Sequence, residues 1–264
     1  MLEPLPTLRP PLRPPSALGR NLPTRTALAW FATGWTDFRD RPGPSLAYGL
    51  ALLALSYGVL AALWRTGLLF LALPSLAGFL IVGPFLAVGL YEKSRRRAAG
   101  QTTTLGKMLL IRPRAGGQLA HAGLLLCLLV LFWLRAADLL YALFFGLAPV
   151  PGAEAALLDV LTTPRGWLLV VTGTGVGALF AAFAFATSVF AIPMLAFERR
   201  DALTALGLSF AMTARNLRVM LAWGAIVAAG LALSALGGLV PLAVLFPVLG
   251  HGTWHAYKAI RMTD

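Results

Sequence analysis

The chain has one cysteine, Cys127, and only ten acidic residues. A single thiol excludes an internal disulfide and a thiolate metal cluster. Because Cys127 sits in an apolar run, it reads as a small buried hydrophobe. The few carboxylates fall mostly in polar connections. They form no paired-acid site for general acid–base chemistry, which points away from an enzyme. Charged residues of either sign make up 12% of the chain, against roughly 25% in soluble domains. Hydrophobic residues take their place, at 58% with a mean hydropathy of +0.78. That balance describes a polytopic membrane protein. At roughly 20 apolar residues per helical crossing, 264 residues hold about six spans with modest loops and no separate soluble domain.

The first 23 residues contain seven prolines and no central apolar run. They read as a disordered Pro-rich tail over 1–26, on the cytoplasmic side, rather than as a secretory signal. Beyond the tail, apolar runs bounded by charge or by Gly and Pro fall at about 44–64, 67–91, 118–138, 166–192, 219–236 and 238–257. The expected fold is therefore an all-α membrane domain over 27–264 with six transmembrane helices. Very short turns at 65–66 and 236–238, with longer polar segments at 92–117 and 198–218, arrange the six as three antiparallel hairpins.

Orientation follows from the basic residues, because Lys and Arg near span ends stay cytoplasmic. The segment before the first span, the connections after the second and fourth, and the C-terminus together hold 19 of the 22. Both termini are thus expected inside, at a bacterial inner membrane. Most of the +12 net charge is then topogenic, with anionic lipid headgroups as its partner and nucleic acid excluded.

The starts of the odd spans read alike: "SLAYGL" at 45–50, "QLAHAG" at 118–123 and "MLAWGA" at 220–225. The first and third matches extend backwards without a gap, through 23-residue segments from Ala27 and Ala202. These predict cytoplasmic interfacial helices, with Trp30, Phe31, Trp35 and Phe38 anchoring the first in the headgroup zone. The even spans end on related patterns from Pro84, Pro193 and Pro247, each a candidate helix kink. Three copies in one orientation suggest a parallel pseudo-threefold repeat. Small residues at four-residue spacing, Gly173, Gly177, Ala178, Ala182 and Ala186, then Gly224, Ala228 and Ala232, predict close helix contacts within the fold or with other membrane proteins. The "GTGVG" at 173–177 follows no strand and is read as part of that packing.

Two constellations remain. His251 and His255 lie one helical turn apart in "VLGHGTWHAYKAI", without the intervening glutamate of a metallopeptidase helix. The favoured reading is an aromatic and basic belt where a span leaves the membrane, formed by Trp254, His255, Tyr257 and Lys258. The alternative is a metal or haem site in which His121 joins the pair. Arg135 and Asp138 are the only charges inside the apolar stretch from Leu119 to Val150. Intramembrane charges are functional candidates. The repeat register instead puts both at the outer interface, with "LLYALFFGL" along the membrane surface; the other reading buries them in a solute or proton path.

The runs "GWTDFRDRPGPSLAYG" (34–49), "VGPFLAVGLYEKSRRR" (82–97), "DLLYALFFG" (138–146) and "FPVLGHGTWHAYK" (246–258) resemble a bacterial family of predicted integral membrane proteins, the domain of unknown function 2189. The resemblance implies an inner-membrane location and a multi-span helical fold. It supplies no activity, cofactor or catalytic residue. The sequence thus supports a non-catalytic structural, assembly or accessory membrane component with no cofactor, beside two alternatives: a permease or channel using Arg135 and Asp138, and a haem or metal subunit using His121, His251 and His255.

Overall fold

The structure, a computed structural model, describes residues 18–146 and 153–261. Most of the tail expected over 1–26 lies outside the described residues. Among them every regular element is a helix: α1 (Thr26–Arg39), α2 (Pro42–Arg65), α3 (Ala72–Leu86), α4 (Val88–Ala98), α5 (Leu105–Leu109), α6 (Gly116–Phe145), α7 (Ala153–Thr162), α8 (Pro164–Ser188), α9 (Ala191–Phe197), α10 (Ala202–Arg215), α11 (Leu217–Leu236) and α12 (Leu242–Arg261). A single 3₁₀ turn, Leu69–Leu71, precedes α3.

Local chemistry sets many of these boundaries. Pro164 opens α8 behind Thr163, whose hydroxyl caps the Gly166 N–H at 3.0 Å. Asp201 caps α10 through the Thr204 N–H at 2.8 Å. The break between α8 and α9 falls at Val189 and Phe190, the turn in which Pro193 leaves the Val189 carbonyl without its helical donor. Pro84 lies inside α3, three residues before the break at Ala87, whereas α12 continues through Pro247.

Among the described residues, five segments are long and apolar enough to cross a membrane: Pro42–Arg65, Pro74–Ala98, Gly116–Phe145, Pro164–Phe197 and Leu217–Leu236. The sixth expected span corresponds to α12, which is not among them. It is the most enclosed long helix, packed against α1, α2, α4 and α11. A helix ringed by other helices meets little lipid, so it can carry His251, Thr253 and His255, provided that they find partners. On the other side of the molecule α3, α6 and α8 pack against one another.

Three local expectations are corrected. The stretch 138–145 does not leave the third span to lie along the membrane; it continues α6 as far as Phe145. No residue there interrupts the backbone ladder, and only Gly146, with φ 82°, turns the chain. Cys127 is exposed rather than buried, because α6 buries just the face bearing Leu119, Ala122, Leu126 and Trp133. In lipid an apolar side chain needs no protein cover. Trp30 and Phe38, expected as headgroup anchors, are buried with Gly34 and Asp37 on one face of α1.

Two close backbone approaches involve α12. A side chain on Gly34 would strike the Val248 carbonyl and the Gly252 backbone, and one on Gly49 would strike the Ala243 carbonyl. That carbonyl is the one Pro247 deprives of its helical donor. The glycines singled out from spacing behave differently: Gly177 accommodates the Trp133 ring, Gly224 faces Phe185 at ordinary contact distance, and Gly173 meets open space.

Gly34→Ala is therefore expected to destabilise the detergent-solubilised protein by about 1–3 kcal/mol, as overpacking does. Gly173→Ala is expected to be neutral or slightly stabilising. Thermal unfolding of the two variants side by side checks the contrast.

Candidate functional site

Where α1, α2, α4 and α12 meet, the apolar packing gives way to a buried polar cluster. α1 contributes Asp37, α2 Ser45, α4 Lys93, Ser94 and Arg97, and α12 His251 and His255. Asp37, Ser45, Lys93, Ser94 and His251 are all buried. A helical turn separates His251 from His255 on α12, so the two rings reach different neighbours.

His251 Nδ1 lies 3.1 Å from the Leu90 carbonyl and 2.8 Å from Ser94 Oγ, and its Nε2 lies 3.0 Å from Ser45 Oγ. A carbonyl has no proton to give, so Nδ1 carries the hydrogen and Nε2 accepts from the Ser45 hydroxyl. Lys93 Nζ in turn donates to Ser45 Oγ at 2.8 Å and to the Arg41 carbonyl at 3.0 Å. The result is a directed chain of hydrogen bonds from Lys93 through Ser45 into His251. Such a network holds its helices together only while every member is satisfied.

Asp37 anchors the second half. Its carboxylate accepts from His255 Nε2 at 2.9 Å and pairs with Arg97, whose Nε also reaches Asp40 at 2.8 Å. Burial pushes the Asp37 carboxyl up, but hydrogen bonds from His255 and Ser94 outweigh that and hold it below its ordinary value. A smaller cluster lies beside it, where Glu198 accepts from Tyr257 at 2.5 Å and from Arg261 at 2.9 Å. The basic segments around residues 20, 41, 97, 114, 198 and 261 thus gather at one end of the bundle, tied also by Arg20 to the Ile260 carbonyl and Arg114 to that of Ala196.

The histidines do not form one site. His121 is exposed near the start of α6, whereas His251 is fully enclosed. Among the described residues no three His, Cys, Asp or Glu side chains stand close enough together to hold a metal ion. Nor do Trp254 and Tyr257 line a headgroup belt. Both are buried, Trp254 edge-on to Phe197 at 5.1 Å and Tyr257 against Phe190. The helix that carries them is covered on several sides, which the sequence pattern alone does not reveal. Arg135 and Asp138 do pair, Nη1 to Oδ2 at 3.2 Å, but their side chains are 82% and 42% exposed on the outside of α6.

Asp37, Ser45, Lys93 and Ser94 were not singled out from the sequence. The signal was nonetheless present: they lie in the runs at 34–49 and 82–97, and the two histidines lie in the run at 246–258. Folding brings these three stretches into one cluster.

Residues 72–196 match the model of a family described as predicted integral membrane proteins (DUF2189). No curated protein and no solved structure matches the chain. The matched residues include Lys93, Ser94 and Arg97 of the cluster, but not its α1, α2 and α12 members. The chain is an integral membrane protein with several apolar helices.

Because the folded protein holds the Asp37 proton less tightly than the unfolded chain, its contribution to stability is present above the ordinary value of 3.8 and is lost as pH falls below it. Asp37→Asn is expected to lower stability at neutral pH and to flatten the acid limb of the stability curve. Melting temperatures of both proteins between pH 7 and about 3 provide the measurement.

Proposed function

We propose that this integral membrane protein is a non-catalytic structural or assembly component of a bacterial inner membrane, crossing it six times with both termini cytoplasmic. The observation that carries the reading is the enclosure of α12. Its backbone closes against α1 and α2 at Gly34 and Gly49, and its two histidines are bound to side chains of neighbouring helices. An active site needs a substrate position beside its reactive groups. Around His251 that space is taken up by Ser45, Ser94 and Leu90.

Several further features favour the six-span arrangement. Twenty residues of α12 extend about 30 Å, the thickness of a hydrocarbon core. Nineteen of 22 basic residues lie in the segments assigned to one side, and retention of such residues argues for the cytoplasm. The rise from Gly116 to Arg135 is about 28 Å, which favours the outer interface for the Arg135–Asp138 pair and weakens its role in a permeation path. α1 and α10 are both 14 residues long, and each leads into an odd-numbered span. That parity fits the parallel threefold repeat, with α5 as the shorter middle copy. Anionic headgroups at the basic end add roughly 1 kcal/mol of attraction per nearby Lys or Arg. The outward faces of α6 and α8, including Leu131, Phe132, Leu168 and Val171, are left to lipid or to other membrane proteins.

In a Cys127→Ser background, Gln101→Cys should resist a membrane-impermeant maleimide in intact cells and react after permeabilisation, whereas Thr162→Cys, at an exposed position ahead of α8, should react from outside. The reverse pattern inverts the topology. Proteoliposomes containing the protein should stay sealed to small ions and solutes. A flux abolished by Asp138→Asn would establish the permease reading instead, and a Soret band lost on His251→Gln would establish a haem subunit.

A further inference from the structure

Beside the Lys93–Ser45 contact lies a cavity of about 200 Å³ that the cluster does not fill. It is lined by Asp40, Arg41, Lys93 and Arg97 and, from the connection after α4, by Gln101 and Thr103. Its volume is far more than a single water needs. Asp40, Arg41 and Gln101 are exposed, so the cavity opens to the outside at the basic end of the span Pro74–Ala98.

Two of its groups lack what their burial demands. Lys93 is 4% exposed and gives its two observed hydrogen bonds to neutral oxygens, Ser45 Oγ and the Arg41 carbonyl. Among the described residues no carboxylate lies within ion-pair distance of it. Asp40 and Asp37 act on its charge only from beyond ion-pair distance, so the buried ammonium is incompletely compensated, and it has a third donor to offer. Thr103 is 7% exposed, and its Oγ1 is buried with no hydrogen-bond partner. Buried hydroxyls are almost always satisfied, and this orphan belongs to a residue of the cavity wall. The backbone adds a third sign: Arg41 adopts φ 55°, a left-handed conformation unusual for a residue with a side chain, while its carbonyl meets Lys93.

We propose that this cavity binds a phosphate group, either the free oxyanion or an anionic lipid headgroup. Three cations face it against one carboxylate, Asp40, which Arg97 Nε already engages. Arg97 uses Nε and Nη1 on Asp40 and Asp37, leaving Nη2 without a carboxylate. An ammonium point charge and guanidinium edges from three separate residues suit a phosphate oxyanion. The ligand would supply the close counter-ion that Lys93 lacks and an acceptor for Thr103. This inference goes beyond the structural role proposed above and depends on neither the orientation of the chain nor the number of spans.

The test uses the full-length protein in phosphatidylcholine nanodiscs. Thermal unfolding is followed with sodium phosphate against sodium chloride at equal ionic strength, and in nanodiscs doped with phosphatidic acid. A saturable rise in melting temperature is expected from at least one source. A response to inorganic phosphate assigns the free ion, and a response to phosphatidic acid alone assigns the headgroup. Thr103→Val and Arg41→Gln should each weaken the apparent affinity about tenfold or more, the scale of a lost charge-assisted or buried hydrogen bond, without lowering the melting temperature of the unliganded protein. Lys93→Gln should abolish the response. No saturable rise from either source, or undiminished responses in both Thr103→Val and Arg41→Gln, overturns the assignment.

Discussion

A helix that buries a histidine and a threonine against its neighbours must find a partner for each polar group, because burial removes the water that would otherwise supply one. That constraint on α12 organises half of the molecule. It explains why α1, α2 and α4 converge on it, each bringing one or more of Asp37, Ser45, Lys93 and Ser94, and why glycines stand where the helices must come close enough to bond. Gly34 and Gly49 let two backbones in, and the network then fixes the register in which they sit. Packing and hydrogen bonding are here a single requirement, since neither is possible without the close approach the other needs.

The same constraint divides the bundle into two chemically different parts. Around α12 the side chains of the polar cluster are hydrogen-bonded to one another, and the ion pairs of Asp37 and Glu198 fasten segments distant in sequence. In the α3, α6 and α8 group, contacts are made by rings and aliphatic side chains, as where Trp133 covers Gly177 and packs against Phe180 at 5.7 Å. Apart from the Arg135–Asp138 pair, the outward faces of that group are largely apolar. The first part resembles the interior of a soluble protein, and the second is shaped by lipid as its solvent.

Most of the apolar helices were legible, because periodicity does not matter when a whole segment is hydrophobic; length and the bounding charges suffice. The cluster was only half legible. His251 and His255 drew attention through their spacing, yet the reading placed them at a headgroup belt, because an exit helix with rings and a lysine has the composition of one. Ser45 and Lys93 drew none: a serine at the start of a span and a lysine after one are commonplace. Their meaning depends on separations of about 50 to 200 residues along the chain, which no local pattern encodes. Cys127 was misplaced for a related reason, since an apolar run in a membrane protein does not tell its lipid side from its protein side.

Taken alone, the sequence determined the solvent: so many apolar residues with so few charges can be satisfied only by a bilayer crossed several times, with basic residues concentrated between chosen spans. What only the tertiary structure decided is which helix is enclosed. Composition along α12 is mixed, and the same residues would serve as a water-facing exit or as a buried hub. The choice is made by α1, α2 and α4, whose glycines admit that helix and whose serines, lysine and aspartate answer its donors and acceptors.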